Sequence, residues 1–176
     1  MAKVGRRWRL WLKGFHELFF ILWIGAGASE LAILSLAGNA SNGNQLHGFY
    51  LAMESLDTIT IPSGILVLVT GLLSTWLGGW GFRRFYVVYS LGIVIIAFVL
   101  GVVVFTPIEN TLFNLSDTLG LQALQNPDYQ QASQLRYIVG IIYTVLLISV
   151  AFVCIFKPLK NVLSATKKAA VPENIA

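Results

Sequence analysis

The chain has 176 residues, of which 56% are hydrophobic and only 11% are charged. Soluble globular domains carry about 25% charged residues, so this composition excludes an ordinary soluble domain and requires a bilayer as solvent. The net charge is +4, and the single cysteine, Cys154, excludes an internal disulfide framework and a cysteine-based metal site. Gly-rich phosphate loops, Ser/His/Asp arrangements and Cys/His zinc spacings are also absent from the sequence.

Four long apolar segments, at about 14–37, 49–77, 85–106 and 137–156, predict four membrane-spanning helices. A loop rich in glycine and asparagine, 38–48, joins the first two and contains His47. Pro62 lies inside the second segment and predicts a kink near 58–62, because proline removes a backbone donor. We therefore predict an all-α four-helix transmembrane bundle, with 1–160 as one domain and 161–176 as a flexible cytoplasmic tail.

The longest loop, about 108–126, lies between the third and fourth spans. Its apolar residues recur at helical spacing, which predicts a short amphipathic segment on the outer membrane surface. Asn126 followed by Pro127 is typical of a helix start, with an N-cap before a proline in the first helical position. The last helix is therefore expected to begin near residue 127, before it enters the bilayer.

The distribution of lysine and arginine predicts the orientation of the chain. All of these residues except Arg136 fall in the N-terminal segment, the connection between the second and third spans, or the C-terminal tail. The positive-inside rule then predicts a multi-pass protein of a bacterial inner membrane with both termini cytoplasmic. Because topology accounts for the basic charge, we expect no nucleic-acid partner. The expected partners are the lipid bilayer and a second copy or a partner membrane helix.

The first apolar segment carries ionisable residues, which are costly inside a membrane and often functional. His16, Trp23 and Glu30 are spaced by seven residues, so they share one helical face. An inward-facing His16 is a candidate axial haem ligand or proton relay, or else an interfacial histidine that bonds to a headgroup. Arg84 is a candidate partner for an anionic group such as a propionate, or else one member of a positive, aromatic belt.

A second set of ionisable residues falls in the outer half of the predicted bundle and comprises Glu30, Glu54 and Asp57. Glu54 and Asp57 share a helical face with Gly64 and Gly71, and glycines let helices approach closely. We therefore expect this face to pack against a neighbour such as the first helix. Converging carboxylates indicate a proton or cation site. The alternative is that Glu54 lies in the wet interface and Asp57 bonds to a nearby hydroxyl.

Several segments resemble known groups of membrane proteins. FHELFFILWIGAG, LDTITIPSGILVLVTGLL and WGFRRFYVV resemble a group of small, uncharacterised four-helix integral membrane proteins of bacteria. Lys13, His16 and Trp23 are also similar to the first-helix motif KxxHxxxxxxW of the membrane-bound bacterial protoporphyrinogen oxidases, and a distant similarity extends to the membrane domain of copper-resistance D proteins. Trp80 followed by Arg84 resembles a Trp-xxx-Lys pattern of the oxidases, with arginine replacing lysine. This resemblance implies haem b bound through His16.

Three functions stay open at this point. The first is a haem- or tetrapyrrole-binding membrane protein with His16 as ligand, Trp23 as pocket wall and Arg84 as propionate partner. The second is a small carrier or channel component that uses the three carboxylates as a cation or proton site. The third is a non-catalytic accessory subunit whose polar face docks a partner helix. The residues assign no enzyme class.

Overall fold

A computed structural model describes residues 5–77 and 84–156, and the side chain of Arg6 is not among the described parts. These ranges contain helices and no strand: α1 (Arg6–Ala37), α2 (Gly43–Leu77), α3 (Phe85–Leu100), a π-helical turn (Gly101–Phe105), α4 (Thr106–Leu119), a 3-10 helix (Gly120–Gln125) and α5 (Pro127–Phe156). Four helical stretches are long and apolar enough to cross a membrane. The predicted all-α, four-helix, multi-pass architecture is thereby confirmed, and the predicted tail at 161–176 lies outside the described residues.

α2 begins earlier than its apolar segment, and this corrects one prediction. Asn42 Oδ1 accepts a hydrogen bond from the Gln45 backbone N–H at 2.9 Å, and the Gln45 side chain accepts one from the Ser41 N–H at 2.7 Å. These caps satisfy amides that a helix start leaves unpaired. The helix therefore starts at Gly43, and His47 is helical rather than in a loop. Hydropathy marks where a helix becomes apolar, whereas the cap decides where it begins.

α3 continues into α4 through the π-helical turn, so the third helix does not stop before Pro107 as its apolar segment predicts. The ring of a proline inside a helix clashes with the carbonyl of the residue four positions earlier. Here that residue lies within the wider π turn, where the Thr106 N–H donates to the Gly101 carbonyl instead of to Val102. The predicted outer-loop segment, 108–126, falls on α4 and the 3-10 helix, and α4 buries Leu112 and Ser116. Its position on the outer membrane surface stays a prediction.

Two apolar clusters fill the bundle. One is centred on Leu46, Leu112 and Ala123, which are fully buried, and joins α1, α2, α4, the 3-10 helix and α5. The other includes Trp23 and Tyr143 and joins α1, α2, α3 and α5. Burying such side chains stabilises each cluster by roughly 1.5–3 kcal/mol for each large residue. Trp23 and Tyr143 also line a cavity that contains Glu30 and Arg136, so this second cluster adjoins buried polar residues.

The first two helices pack through glycines, as their spacing predicts. A Cβ atom on Gly64 would lie 3.1 Å from the Trp23 ring, and one on Gly71 would lie 3.2 Å from the His16 ring. Both glycines therefore let α2 come close to the inward-facing side chains of α1.

Candidate functional site

Arg136 of α5 is the central residue of the candidate site. It is only 2% exposed, although arginine is seldom fully buried unless it is paired. Its Nη2 donates to Glu30 Oε2 and its Nε donates to Glu109 Oε1, both at 2.7 Å. One planar guanidinium therefore links α1, α4 and α5, because its donors form a rigid fork that reaches two carboxylates at once.

Two further residues complete the surroundings of this ion pair. Thr60 of α2 donates its hydroxyl to the other oxygen of Glu30 at 2.9 Å, so both Glu30 oxygens have partners. The Phe105 ring lies 4.1 Å from Arg136 Cζ, which is a cation–π contact. Phe105 ends the π-helical turn, and such turns occur frequently at functional sites.

A partly open cavity of about 110 Å³ adjoins the ion pair and is lined by Glu30, Asp57, Glu109 and Arg136. Asp57 makes no hydrogen bond or ion pair with any residue in the described ranges. The structure thus brings two of the three predicted carboxylates, Glu30 and Asp57, into one cavity. Glu54 is exposed and does not line it. Three carboxylates face one guanidinium, so the cavity carries an excess of negative charge when all are ionised.

Sequence reasoning missed Arg136 and Glu109, which were assigned to the outer flank and the outer loop. A signal for Arg136 was present in the spacing of α5. The buried residues of α5 recur in steps of three and four, and they include Arg136, Gly140 and Tyr143. An arginine on the inward face of an apolar helix requires an acidic partner. Glu109 carries no comparable signal, because its inward direction depends on the continuation of α3 into α4.

The three predicted haem-site residues lie in separate environments. His16 Nδ1 is 2.9 Å from Thr70 Oγ1 on α2. Trp23 is 3% exposed and packs edge-on to Tyr143, with ring centroids 6.1 Å apart, in the wall of the carboxylate cavity. Arg84 is exposed and donates from Nη1 to the Tyr86 hydroxyl at 2.9 Å. Neither His16 nor Arg84 lines the carboxylate cavity.

The titratable side chains of the described ranges do not form a metal-binding group. Residues 5–77 and 84–156 contain no group of three or more His, Cys, Asp or Glu side chains arranged to hold a metal ion. The carboxylates of the cavity are therefore spread around Arg136 rather than gathered on one point.

No protein-family model, curated protein or solved structure matches the chain. The resemblance to uncharacterised bacterial membrane proteins and to protoporphyrinogen oxidases therefore stays a prediction.

Proposed function

We propose that this chain is a proton-coupled membrane protein, a small carrier or channel component, that takes up and releases a proton at the carboxylates around Arg136. The observation that carries the proposal is the cavity in which Glu30 and Glu109 pair with Arg136 while a third carboxylate, Asp57, lines the same space without an ion-pair partner among the described residues. Ionisable groups within membrane-spanning helices are costly and commonly serve as ion or proton positions.

The balance of charge supports a proton as the bound species. With all four groups ionised, three carboxylates and one guanidinium leave an uncompensated excess of negative charge in a largely buried place. A proton removes one such charge and needs no coordination shell. Glu109 Oε2 and Asp57 offer carboxylate oxygens that are not used by the arginine. Glu30 is less available, since Thr60 and Arg136 occupy both of its oxygens.

The orientation proposed for the chain places both termini on the cytoplasmic side of a bacterial inner membrane. The basic residues Arg7, Arg9 and Lys13 at the start of α1, and Arg84 before α3, support this orientation through the positive-inside rule. Arg136 belongs to the other half of the bundle, but Glu30 and Glu109 neutralise it, so it does not oppose the rule. The carboxylate cavity would then belong to the outer half.

Proton movement in reconstituted vesicles tests the proposal. Vesicles loaded with potassium and a pH-sensitive dye are given an outward potassium gradient and valinomycin, which draws protons inward through any available pathway. We expect the wild-type protein to acidify the interior faster than protein-free vesicles. Glu109→Gln removes a cavity carboxylate while keeping an acceptor for Arg136, and it should reduce the rate to the protein-free value.

Glu17→Gln is the matched control, because Glu17 is exposed, lies outside the cavity and pairs with Lys13 at 3.4 Å. This variant should acidify the vesicles as the wild type does. A wild-type rate equal to that of protein-free vesicles, or an equal loss in both variants, would contradict the proposal.

A haem site at His16 is the second candidate function, and the contact with Thr70 favours it. Thr70 Oγ1 lies 2.5 Å from the Leu66 carbonyl, which receives the single hydroxyl proton. In the tautomer with a proton on Nδ1, His16 would donate to Thr70 and Nε2 would keep the lone pair that a metal ion needs. Hydrogen bonding of one ring nitrogen in this way orients metal-ligating histidines in general. Bound haem would supply redox chemistry at this end of α1 and α2.

An absorption spectrum of protein supplied with haem, recorded before and after dithionite, tests the haem proposal. We expect a Soret band that shifts on reduction, disappears in His16→Ala and weakens in Thr70→Val. His47→Ala is the matched control, since His47 instead approaches Ser116 at 3.3 Å and should leave the band unchanged. A colourless protein, or a band equally reduced by both histidine variants, would contradict haem ligation by His16.

A further inference from the structure

The cavity beside Arg136 is large enough for a small head group. Its volume is about 110 Å³, and a water molecule occupies about 30 Å³ of the liquid. It therefore holds roughly three to four water-sized groups, such as a primary ammonium with its first methylenes. Two of its wall residues, Glu30 and Arg136, are more than nine-tenths buried and form an ion pair with each other. This polar part of the wall is therefore already ordered before any ligand binds.

The unused polar atoms of the cavity are mainly acceptors. Asp57 has no hydrogen-bond or ion-pair partner in the described ranges, and Glu109 uses only Oε1 for the arginine. The guanidinium of Arg136 faces two carboxylates and the Phe105 ring. A group entering the cavity therefore meets carboxylate oxygens, which recognise a cation that donates hydrogen bonds.

The rim of the cavity is apolar and lies on the outside of the bundle. Ile61 of α2 and Val102 of the π-helical turn both line the cavity, and they are 55% and 58% exposed. Phe98 of α3 also lines it and is exposed. Thr106, the exposed polar residue of the lining, directs its hydroxyl to the Gly101 carbonyl at 3.3 Å. In a membrane-spanning bundle, exposed apolar side chains face acyl chains, so the cavity opens sideways to lipid.

We propose that the cavity binds the primary-ammonium head of an amphiphile that enters from the bilayer between α2 and α3. The alkyl chain lies against Ile61, Phe98 and Val102, and the head group reaches Asp57 and Glu109. This proposal rests on the proposed function, since it names the substrate class of the same site. A proton and an ammonium group compete for the same carboxylates, so binding of one displaces the other.

Photolabelling in lipid vesicles tests this inference. The probe is a dodecylamine that carries a diazirine on its chain, and the matching dodecanol with the same diazirine is the neutral control probe. We expect saturable labelling of Ile61, Phe98 and Val102 by the amine, whereas the alcohol should label exposed apolar side chains without saturation. Asp57→Asn should raise the half-saturating amine concentration about ten- to a hundredfold, because it removes a charge-assisted hydrogen bond.

Two tryptophan variants separate the mouth of the cavity from the general lipid-facing surface. Val102→Trp should block the mouth of the cavity and abolish saturable labelling, while the ion pairs of Arg136 with Glu30 and Glu109 stay unchanged. Val145→Trp places the same bulk on α5, at a position that is 59% exposed and does not line the cavity, and it should label as the wild type does. Labelling that is lost equally in both variants would overturn the proposed route.

Competition with unlabelled amines shows whether the ammonium group reaches the cavity from the bilayer or from water. Unlabelled dodecylamine should compete for the labelled site, and methylammonium should compete far less, because it lacks the alkyl chain. Equal competition by methylammonium would overturn entry from the bilayer. Amine labelling indistinguishable from alcohol labelling would overturn ammonium binding, even if proton movement in vesicles is observed. Saturable amine labelling without proton movement would instead contradict only the proposed function.

Discussion

Replacing Arg136 by glutamine should destabilise the bundle more than any exposed substitution. The side chain is 2% exposed, and it donates to Glu30 and Glu109 at 2.7 Å each. Removing it leaves Glu30, which is 5% exposed, with Thr60 as its remaining donor among the described residues. Breaking a buried ion pair from one side typically costs about 3–5 kcal/mol, because an uncompensated charge stays behind. We expect Arg136→Gln to lower the free energy of unfolding by about that amount.

The origin of this loss can be separated from the loss of side-chain volume. Arg136→Met combined with Glu30→Met and Glu109→Met removes the arginine and both carboxylates that pair with it, and it replaces all three with apolar side chains of similar length. Apolar replacement of a whole buried ionic cluster is often neutral or stabilising. We therefore expect the triple variant to lie within about 1 kcal/mol of the wild type. The single variant should also recover stability as the pH is lowered, since protonation removes the uncompensated carboxylate charges.

Equilibrium unfolding in mixed micelles of mild detergent and SDS, followed by tryptophan fluorescence and circular dichroism, measures these differences. Arg84→Gln is the matched control, because Arg84 is exposed and donates to the Tyr86 hydroxyl. It should change the free energy of unfolding by less than about 0.5 kcal/mol. If Arg136→Gln is as mild as the control, or if the triple variant is as unstable as Arg136→Gln, the reasoning from uncompensated charge is refuted.

Two further predictions concern contacts between helices, and the same unfolding assay checks both. Gly140→Ala should cost about 1–3 kcal/mol, because the new Cβ would lie 2.6 Å from Leu31 Cδ2 and 3.0 Å from Arg136 Nη1, and the ion pairs of Arg136 hold that guanidinium in place. Gly92→Ala meets nothing within 4 Å and should be harmless or slightly stabilising. Equal effects of the two would contradict the packing argument. Tyr50→Phe should cost about 1–3 kcal/mol, since it leaves the buried Tyr129 hydroxyl without its 2.6 Å partner. Combining it with Tyr129→Phe should restore part of that loss, and an additive loss would contradict this explanation.

The fold was largely predictable because hydropathy reports burial in lipid directly. The four apolar segments all lie within helices that are long and apolar enough to span a membrane. The sequence also indicated the start of α5, through Asn126 and Pro127. The start of α2 and the continuation of α3 past Pro107 were not predictable from hydropathy. They depend on the Asn42 cap and on the π-helical turn before Pro107, and neither changes the hydropathy.

The candidate site was predictable only in part. The spacing of Trp23 and Glu30 correctly placed both on an inward face of α1. The inward position of Arg136 was missed because the residue was assigned to a charged flank. Counting charges along the chain does not show which helical face each charge occupies. The pairing of Glu109 with Arg136 spans 27 positions and depends on the path of α4. Contacts of that kind follow from packing and have no local signature.

The most direct test of the account is an infrared titration of the protein in lipid, which records the absorption of protonated carboxyl groups against pH. We expect a protonated-carboxyl band that titrates in the wild type and loses intensity in Asp57→Asn and in Glu109→Gln. Glu17→Gln, at an exposed position outside the cavity, should leave that band intact. A band that neither cavity variant alters would contradict the claim that the carboxylates around Arg136 bind the proton.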